Sequence, residues 1–217
     1  MNQFYGDAIE YLPILGKGLY LTITVTIGSL LLSTVLGLFW AVLRVSSIRA
    51  LAWISVIVIN LLRGIPVIVV LFFFYFVLPD WGVSLSAVQA AILGLGLTYS
   101  AYQAENFRAG IEAIDRGQLE AASSIGMGWG LTMRRVILPQ AVKLILPPYG
   151  NIMIMMLKDS SQASTITVAE LALQGKLIAA STFKSSTVFG LVALLYLAMC
   201  VPLIVLVRYL EKRNNKR

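Results

Sequence analysis

Lys158-Asp159-Ser160-Ser161 sets both signs of charge and two hydroxyls at the end of an apolar run. Such a set suits a zwitterionic ligand, each of whose charges needs a partner of opposite sign through a charge-assisted hydrogen bond. It equally fits a solvated helix end with a Lys158–Asp159 contact of its own. Arg63 stands inside another apolar run, next to Gly64-Ile65-Pro66, where deep insertion into lipid would cost about 2.5 kcal/mol or more. Two outcomes relieve that cost. The side chain snorkels to an interface, or it faces a bundle interior as a gate or ion pair, with Glu105 as partner. Glu105 and Arg108 are three residues apart and share a helix face, which suits a local ion pair or a role in gating or assembly. Tyr102 and Gln103 can hydrogen-bond a neighbouring helix or a ligand, whereas Met153, Met155 and Met156 read as packing surface.

Catalytic chemistry is excluded by inventory. The chain has no histidine and one cysteine, Cys200, so serine–histidine pairs, HExxH sites and cysteine clusters are all absent. No Gly-x-x-x-x-Gly-Lys-Ser/Thr loop occurs either. No catalytic residue, metal site or cofactor is expected on this chain, and any ATP used must be hydrolysed by another polypeptide.

The elements that position these residues are membrane spans. Hydrophobic residues make up 59% of the 217 and charged ones 12%, with mean hydropathy +0.85; soluble domains carry roughly twice that charged share. The net charge of +7 is spread between apolar runs rather than gathered in a basic domain, which argues against nucleic acid as partner. Apolar runs long enough to cross roughly 30 Å of hydrocarbon lie at about 19–43, 51–77, 84–108, 138–157 and 188–209. They predict one all-α membrane domain over residues 1–217 with five spans. Met1–Gly18 is mixed in character and is expected to lie along the membrane surface. Asp7 and Glu10 precede the first basic residue, Lys17, which does not fit a secretory signal.

Pro66 should kink the second span. The segment 158–186 is amphiphilic, with a stripe of Val168, Leu171, Leu173, Leu177 and Ile178. It is too broken to span and is expected to dip partly into the membrane. With the N-terminus outside, the inner segments hold Arg44, Arg49, Arg108, Arg116, Arg134, Arg135, Lys143, Arg208, Lys212, Arg213, Lys216 and Arg217; the outer ones hold Lys17, Lys158, Lys176 and Lys184. That bias predicts an outer N-terminus and an inner C-terminus.

Residues 116–136 connect the third and fourth spans. Asp115 and Gly117 can open a short helix of about two turns, and Gly126 with Gly128 can close it. Glu120 near its start complements the helix dipole, and Ala121, Ala122, Ser123 and Ser124 would let a partner approach closely. Pro139 suits the first turn of the following helix. Glu120-Ala121-Ala122, Gly126 and Val136-Ile137-Leu138-Pro139 together resemble the EAA loop of membrane subunits of binding-protein-dependent ABC importers. Val136 replaces an isoleucine of that pattern.

A longer ordered set resembles the polar amino-acid permease branch, the histidine and glutamate type. It runs through Arg63-Gly64-Ile65-Pro66, Tyr99-Ser100-Ala101-Tyr102-Gln103-Ala104-Glu105, Arg108-Ala109-Gly110-Ile111, Gly117-Gln118, Leu146-Pro147-Pro148, Asn151 and Lys158-Asp159-Ser160-Ser161. The resemblance implies a permease subunit of the bacterial inner (plasma) membrane that moves a polar amino acid or related compound by alternating access. The implied partners are a second permease subunit, identical or a paralogue, two ATP-binding subunits carrying ATP and Mg, and a soluble extracytoplasmic binding protein. Gly117, Gln118, Glu120, Ala121, Ala122, Gly126 and Pro139 would then couple to the ATPase, while Arg63, Gln103, Glu105, Lys158, Asp159, Ser160 and Ser161 border the substrate pathway. The competing class, an ion-coupled carrier or a membrane protein independent of nucleotide, calls for carboxylates at span centres or internal repeats; neither is plain here.

Overall fold

Along helix α1 (Asn2–Arg44), Ser29, Ser33 and Gly37 recur every four residues and line one buried face. Helix α4 (Ala87–Glu112) lies against that face. A Cβ on Gly37 would stand 2.6 Å from Gln103 Cβ and 3.1 Å from the Ser100 carbonyl, and one on Gly96 of α4 would stand 2.7 Å from Leu32 Cδ2. The two backbones are therefore in near contact, and the Ser29 hydroxyl donates to the Ile92 carbonyl at 3.3 Å. Small residues serve this purpose in lipid, where no hydrophobic force draws helices together and close packing must do so. The opposite side of α1 carries exposed Ile27, Leu31, Val35 and Val42.

The computed structural model describes residues 2–46 and 48–214, and all regular structure among them is helical. Lys216 and Arg217 of the predicted inner tail lie outside the described residues. After α4 come α5 (Arg116–Ser124), α6 (Trp129–Thr132), α7 (Leu138–Asp159), α8 (Leu171–Thr182) and α9 (Ser185–Asn214). Preceding α4 are α2 (Arg49–Gly64) and α3 (Val67–Phe72). The capping box expected of a good helix start opens α4: the Ser86 side chain accepts from Gln89 N–H, and the Gln89 side chain accepts from Ser86 N–H.

Two boundaries differ from the sequence expectation. The segment expected along the membrane surface is the first part of α1, which is continuous from Asn2. Tyr11 and Leu15 are buried against Leu171, Ile178 and Val188, so packing on α8 and α9 extends the helix past the apolar run. The run at 51–77 is broken rather than kinked: Arg49–Gly64 and Val67–Trp81 meet at 98°. Ile65 and Pro66 there are extended, with ψ 129° and 138°. Proline drives the residue before it out of the α region and itself starts a helix well, so a full break is the local preference. That pair passes only jointly as apolar enough to cross a membrane, whereas Tyr5–Arg44 and Ser185–Arg213 do so singly. Helix α4 buries Ala90, Ala91, Gly94, Leu95, Thr98 and Tyr99, so protein rather than lipid sets its composition.

The helix leading into α7 also begins early. Trp129–Thr132 continues through a π turn, Met133–Ile137, into α7. Pro139 is in the first turn of α7, as expected, but that turn continues a helix already under way. Lacking an N–H for the Arg135 carbonyl, Pro139 displaces the ladder, and Leu138 N–H donates to Met133 O five residues back. The same Leu-Pro step follows a second π turn, Phe73–Val77, where Leu78 N–H donates to Phe73 O.

Between α7 and α9 the chain makes a 3₁₀ stretch, Ser160–Ile166, then α8. Of the predicted stripe, Val168, Leu171 and Ile178 are buried while Leu177 is exposed. Buried Leu71, Leu95, Tyr99, Met156 and Ile166 form the central core, where α1, α3, α4, α7 and the 3₁₀ stretch converge.

Candidate functional site

The loop hook at α5 is built from its caps. The Asp115 carboxylate accepts from Gly117 N–H at 2.6 Å and opens the helix. At the other end Gly126 has φ 76°. Its N–H donates to Ser123 O at 2.9 Å, and Met127 N–H reaches back to Ala122 O at 3.0 Å. These two bonds make a Schellman motif, which requires a left-handed residue and favours glycine. Gly128, expected to share in this closure, is extended and precedes α6. Ala122 alone of α5 is buried; Gln118, Glu120 and Ala121 point to solvent. Ile125 and Trp129 beyond it are 76% and 74% exposed, a large apolar surface on a stretch that carries no charge between Glu120 and Arg134. No sequence argument singled these two out, although bulky apolar residues on a capped turn were the available signal.

The pathway candidates divide into two groups. Tyr99, buried at 2% exposure, donates its hydroxyl to Asp159 Oδ2 at 2.7 Å. The Tyr99 ring lies 5.7 Å from Tyr102, and Arg63 stands over Tyr102 at 5.5 Å, within cation–π range. Arg63, Tyr102, Tyr99 and Asp159 thus form one row crossing from α2 through α4 to the end of α7. Asp159 is half-buried and bonded to Tyr99 instead of Lys158, which is exposed. Both serines bond to their own backbone: the Ser160 hydroxyl donates to Leu157 O at 2.7 Å and that of Ser161 to Lys158 O at 2.8 Å; Ser160 is fully buried and Ser161 partly exposed.

Glu105 belongs elsewhere. Arg44 Nη1 donates to Glu105 Oε1 at 2.7 Å, and Arg108 donates to Glu105 Oε2 through Nε and Nη2 at 3.0 and 2.8 Å. Arg108 also pairs with Glu112. The Arg63–Glu105 pair, one of the outcomes open to Arg63, is therefore absent, because the carboxylate oxygens are taken by Arg44 of α1 and Arg108 of α4. The local Glu105–Arg108 pair is present. Gln103 is fully buried against Gly37 of α1; its Oε1 accepts from Asn106 at 3.4 Å and its Nε2 has no partner. It sits inside the α1–α4 seam, away from the row above.

A second polar centre went unseen in the sequence. Glu170, fully buried, accepts from Ala172 and Leu173 N–H at 2.8 and 2.7 Å and from the Tyr196 hydroxyl at 3.1 Å. Leu171 N–H donates to Thr22 Oγ1 at 3.1 Å, so α1, α8 and α9 meet at one capped helix start. Burial pushes the Glu170 carboxyl up, against the three hydrogen bonds that pull it down. Nearby, Lys184 Nζ donates to Asp7 at 2.6 Å, which raises the Lys184 amine. Glutamate opening an apolar helix was the sequence signal; its partner Tyr196 lies 26 residues away and could not be read.

An open cavity of about 540 Å³ lies between α7 and the end of α9, lined in part by Lys143, Pro147, Asn151 and Glu211. None of the pathway candidates lines it. Among the described residues no group of three or more His, Cys, Asp or Glu could hold a metal ion.

Residues 33–216 match the family described as Binding-protein-dependent transport system inner membrane component. The probable amino-acid ABC transporter permease protein YckA of Bacillus subtilis (strain 168) is 40% identical, over 95% of this chain and 91% of its own length. The probable glutamine ABC transporter permease protein GlnM of the same organism is 38% identical, over 92% of each. Among solved structures, a crystal structure of an amino acid ABC transporter with histidines superposes with TM-score 0.89 at 36% identity, covering 95% of this chain and 97% of that one. The inward-facing MetNI methionine ABC transporter shares the fold, with TM-score 0.74 at 22% identity, over 91% and 96%.

Proposed function

Because this chain belongs to the inner membrane components of binding-protein-dependent transport systems, we propose that it carries a polar amino acid inward, by alternating access, as the permease subunit of an ABC importer. The amino-acid cargo is supported by relatives described as amino-acid or glutamine permeases. It is also supported by a row of groups, Arg63 to Asp159, that offers both charges. In this reading five spans, near 19–43, 51–77, 84–108, 138–157 and 188–209, cross the inner membrane with the N-terminus outside. The partners are a second permease subunit, two ATPase subunits that hold ATP and Mg, and an extracytoplasmic binding protein.

The observation that carries the coupling role is the hook itself. Helix α5 is rigidly capped at both ends, yet it leaves Gln118, Glu120 and Ala121 unpacked and sets Ile125 and Trp129 in solvent. A chain does not order such a surface for its own fold. Gly117, Gln118, Glu120, Ala121, Ala122 and Gly126 shape it, and Pro139 acts at the root of the next helix. ATP-driven closure of the ATPase dimer would pull on α5 and tilt the spans outward, and opening after hydrolysis would return the site inward. In this cycle Asp159, held by Tyr99, takes the cargo's amino group, and Arg63 is the cation of the same row. Lys158, Ser160 and Ser161 complete the end of α7. Gln103 and Glu105 hold α4 on α1.

Two experiments test this reading. In a Cys200→Ala background, Asp80→Cys should react with an impermeant maleimide from outside and Trp129→Cys only from the cytoplasm. Outside labelling at Trp129 would invert the topology and remove the ATPase contact. Asp159→Asn should lower uptake or change preference among amino acids. The loss of one charge-assisted hydrogen bond is worth about 1–3 kcal/mol, or roughly 5- to 150-fold. Unchanged uptake and preference would return Asp159 to a purely structural role.

A further inference from the structure

We infer that the π turn Met133–Ile137 is the joint through which movement of the ATPase-facing hook reaches the row at Asp159. The inference rests on the coupling role proposed for α5. From Trp129 to Asp159 the chain is helical throughout; this turn and the Pro147-Pro148 pair inside α7 are its two irregularities, and the pair has no extra residue to give up. At 1.5 Å per residue this rod is about 45 Å long. One end stands beside α5, and the other ends on the Asp159–Tyr99 hydrogen bond. The rod is therefore the direct mechanical link between the two functional regions.

A π turn is an α-helix with one residue too many, and each residue turns a helix by about 100°. Here the extra residue has a visible effect. Thr132 and Ile137 are both buried, at 5% and 4% exposure, although residues five apart in an α-helix face different sides. The bulge swings the α6 end round so that Thr132 turns into protein while Trp129 and Leu131 stay exposed. Ile137, Ala141 and Ile114 pack as one cluster, with Met133 and Ile145 against it, so the α7 side of the joint is seated on the end of α4. The α6 side makes its contacts with α5 and with the turn.

The cause is local. Pro139 removes the N–H that would close a normal turn on Arg135, and the identical Leu-Pro step at Leu78-Pro79 follows the other π turn. Such a joint swaps between four- and five-residue hydrogen bonding at the cost of one bond. It can absorb twist without unravelling the rod, which a straight α-helix cannot do.

The test removes the extra residue. A variant lacking Val136 and carrying Pro139→Ala should form an uninterrupted α-helix; Gly16→Ala, with open space around it and far from the joint, is the control. Both are purified with the ATPase subunits and reconstituted with binding protein. The shortened variant is expected to hydrolyse ATP but to lose at least about tenfold in uptake per ATP, while Gly16→Ala stays within about threefold of the parent. Uptake per ATP unchanged in the shortened variant overturns the inference.

A second measurement needs no deletion. Spin labels at positions 129 and 155, across the joint, should change separation between nucleotide-free and ATP-bound complexes, and labels at 144 and 155 should not. A constant 129–155 distance also overturns it. If the parent complex hydrolyses ATP without response to binding protein, the coupling reading itself fails, and that outcome is separate from failure of the joint.

Discussion

Gly126 offers the sharpest perturbation, because its role is conformational and its surroundings are empty. Its φ of 76° lies in the left-handed region, and nothing stands within 4 Å of a Cβ built there. A side chain at this position therefore meets no clash and pays only for backbone. A non-glycine residue held left-handed costs about 1–2 kcal/mol, more when β-branched. The alternative is to leave that region and lose the Gly126–Ser123 and Met127–Ala122 hydrogen bonds, each worth about 1 kcal/mol net. Either way Gly126→Val should cost the hook about 1–2 kcal/mol, a factor of roughly 5–30 in its ratio of ordered to disordered forms.

Helix α5 packs chiefly on α6 and the π turn, so the loss stays local and the melting temperature of the bundle should hardly move. It appears instead in the apparent affinity for the ATPase subunit, which falls with the fraction of chains presenting the hook. The assay is titration of ATPase subunit onto permease in nanodiscs, with uptake per ATP as a second readout. The expected order is Gly and Asn tightest, then Ala, then Val, because asparagine tolerates the left-handed region. Valine binding as tightly as glycine would refute the conformational argument. Asparagine as damaging as valine would show that volume in the seat, and not backbone, is decisive.

Glu120→Lys reverses an exposed charge near the start of α5 and costs the helix only about 0.3–1 kcal/mol; the complex should insert normally but transport poorly, and normal uptake would count against α5 as the seat. Gly37→Val drives side-chain atoms into Gln103 and the Ser100 carbonyl, so overpacking of about 1–3 kcal/mol, roughly 2–12 °C in melting temperature, is expected. Gly16→Ala, with open space around it, is the control and should lose nothing. Glu170→Gln sets an amide against donors on both oxygens and should lower the melting temperature by roughly 2–12 °C. Because the folded carboxyl titrates above its ordinary value, its contribution is complete below about pH 4.3 and is lost as pH rises through the raised value. The gap between parent and Glu170→Gln should therefore widen on acidification from pH 8 toward pH 5, and a gap that closes would contradict the assignment.

Local chemistry was legible in the sequence and distant pairing was not. Asp115, Gly117 and Gly126 announce α5 because capping depends on neighbours within one turn. The all-helical architecture follows from apolar runs for the same reason. Pro66 signals an interruption, but not its angle: only packing of α3 on α4, where Gly94 takes Leu71, decides between a kink and a 98° bend. Arg63 and Glu105 look like partners when charges are counted by type. Arg44, at the far end of α1, wins Glu105 because the glycine and serine face of α1 draws that helix onto α4. Asp159 was found by composition, whereas its partner Tyr99 lay unremarked in a quoted motif, since a tyrosine sixty residues away gives no local sign. Glu170 was missed for a related reason: a buried carboxylate reads as a surface charge until its donors are assembled around it.

The central claim is that this chain couples ATP hydrolysis on one side of the membrane to amino-acid entry from the other. It is tested most directly in proteoliposomes holding the permease and ATPase subunits. Binding protein and a labelled amino acid are supplied on the outer face, and ATP with Mg on the face that carries Trp129. The account predicts uptake that requires binding protein and ATP together, persists when ion gradients are collapsed, and disappears when ATP is placed only on the opposite face. Uptake driven by an ion gradient without ATP, or indifferent to the binding protein, would contradict it.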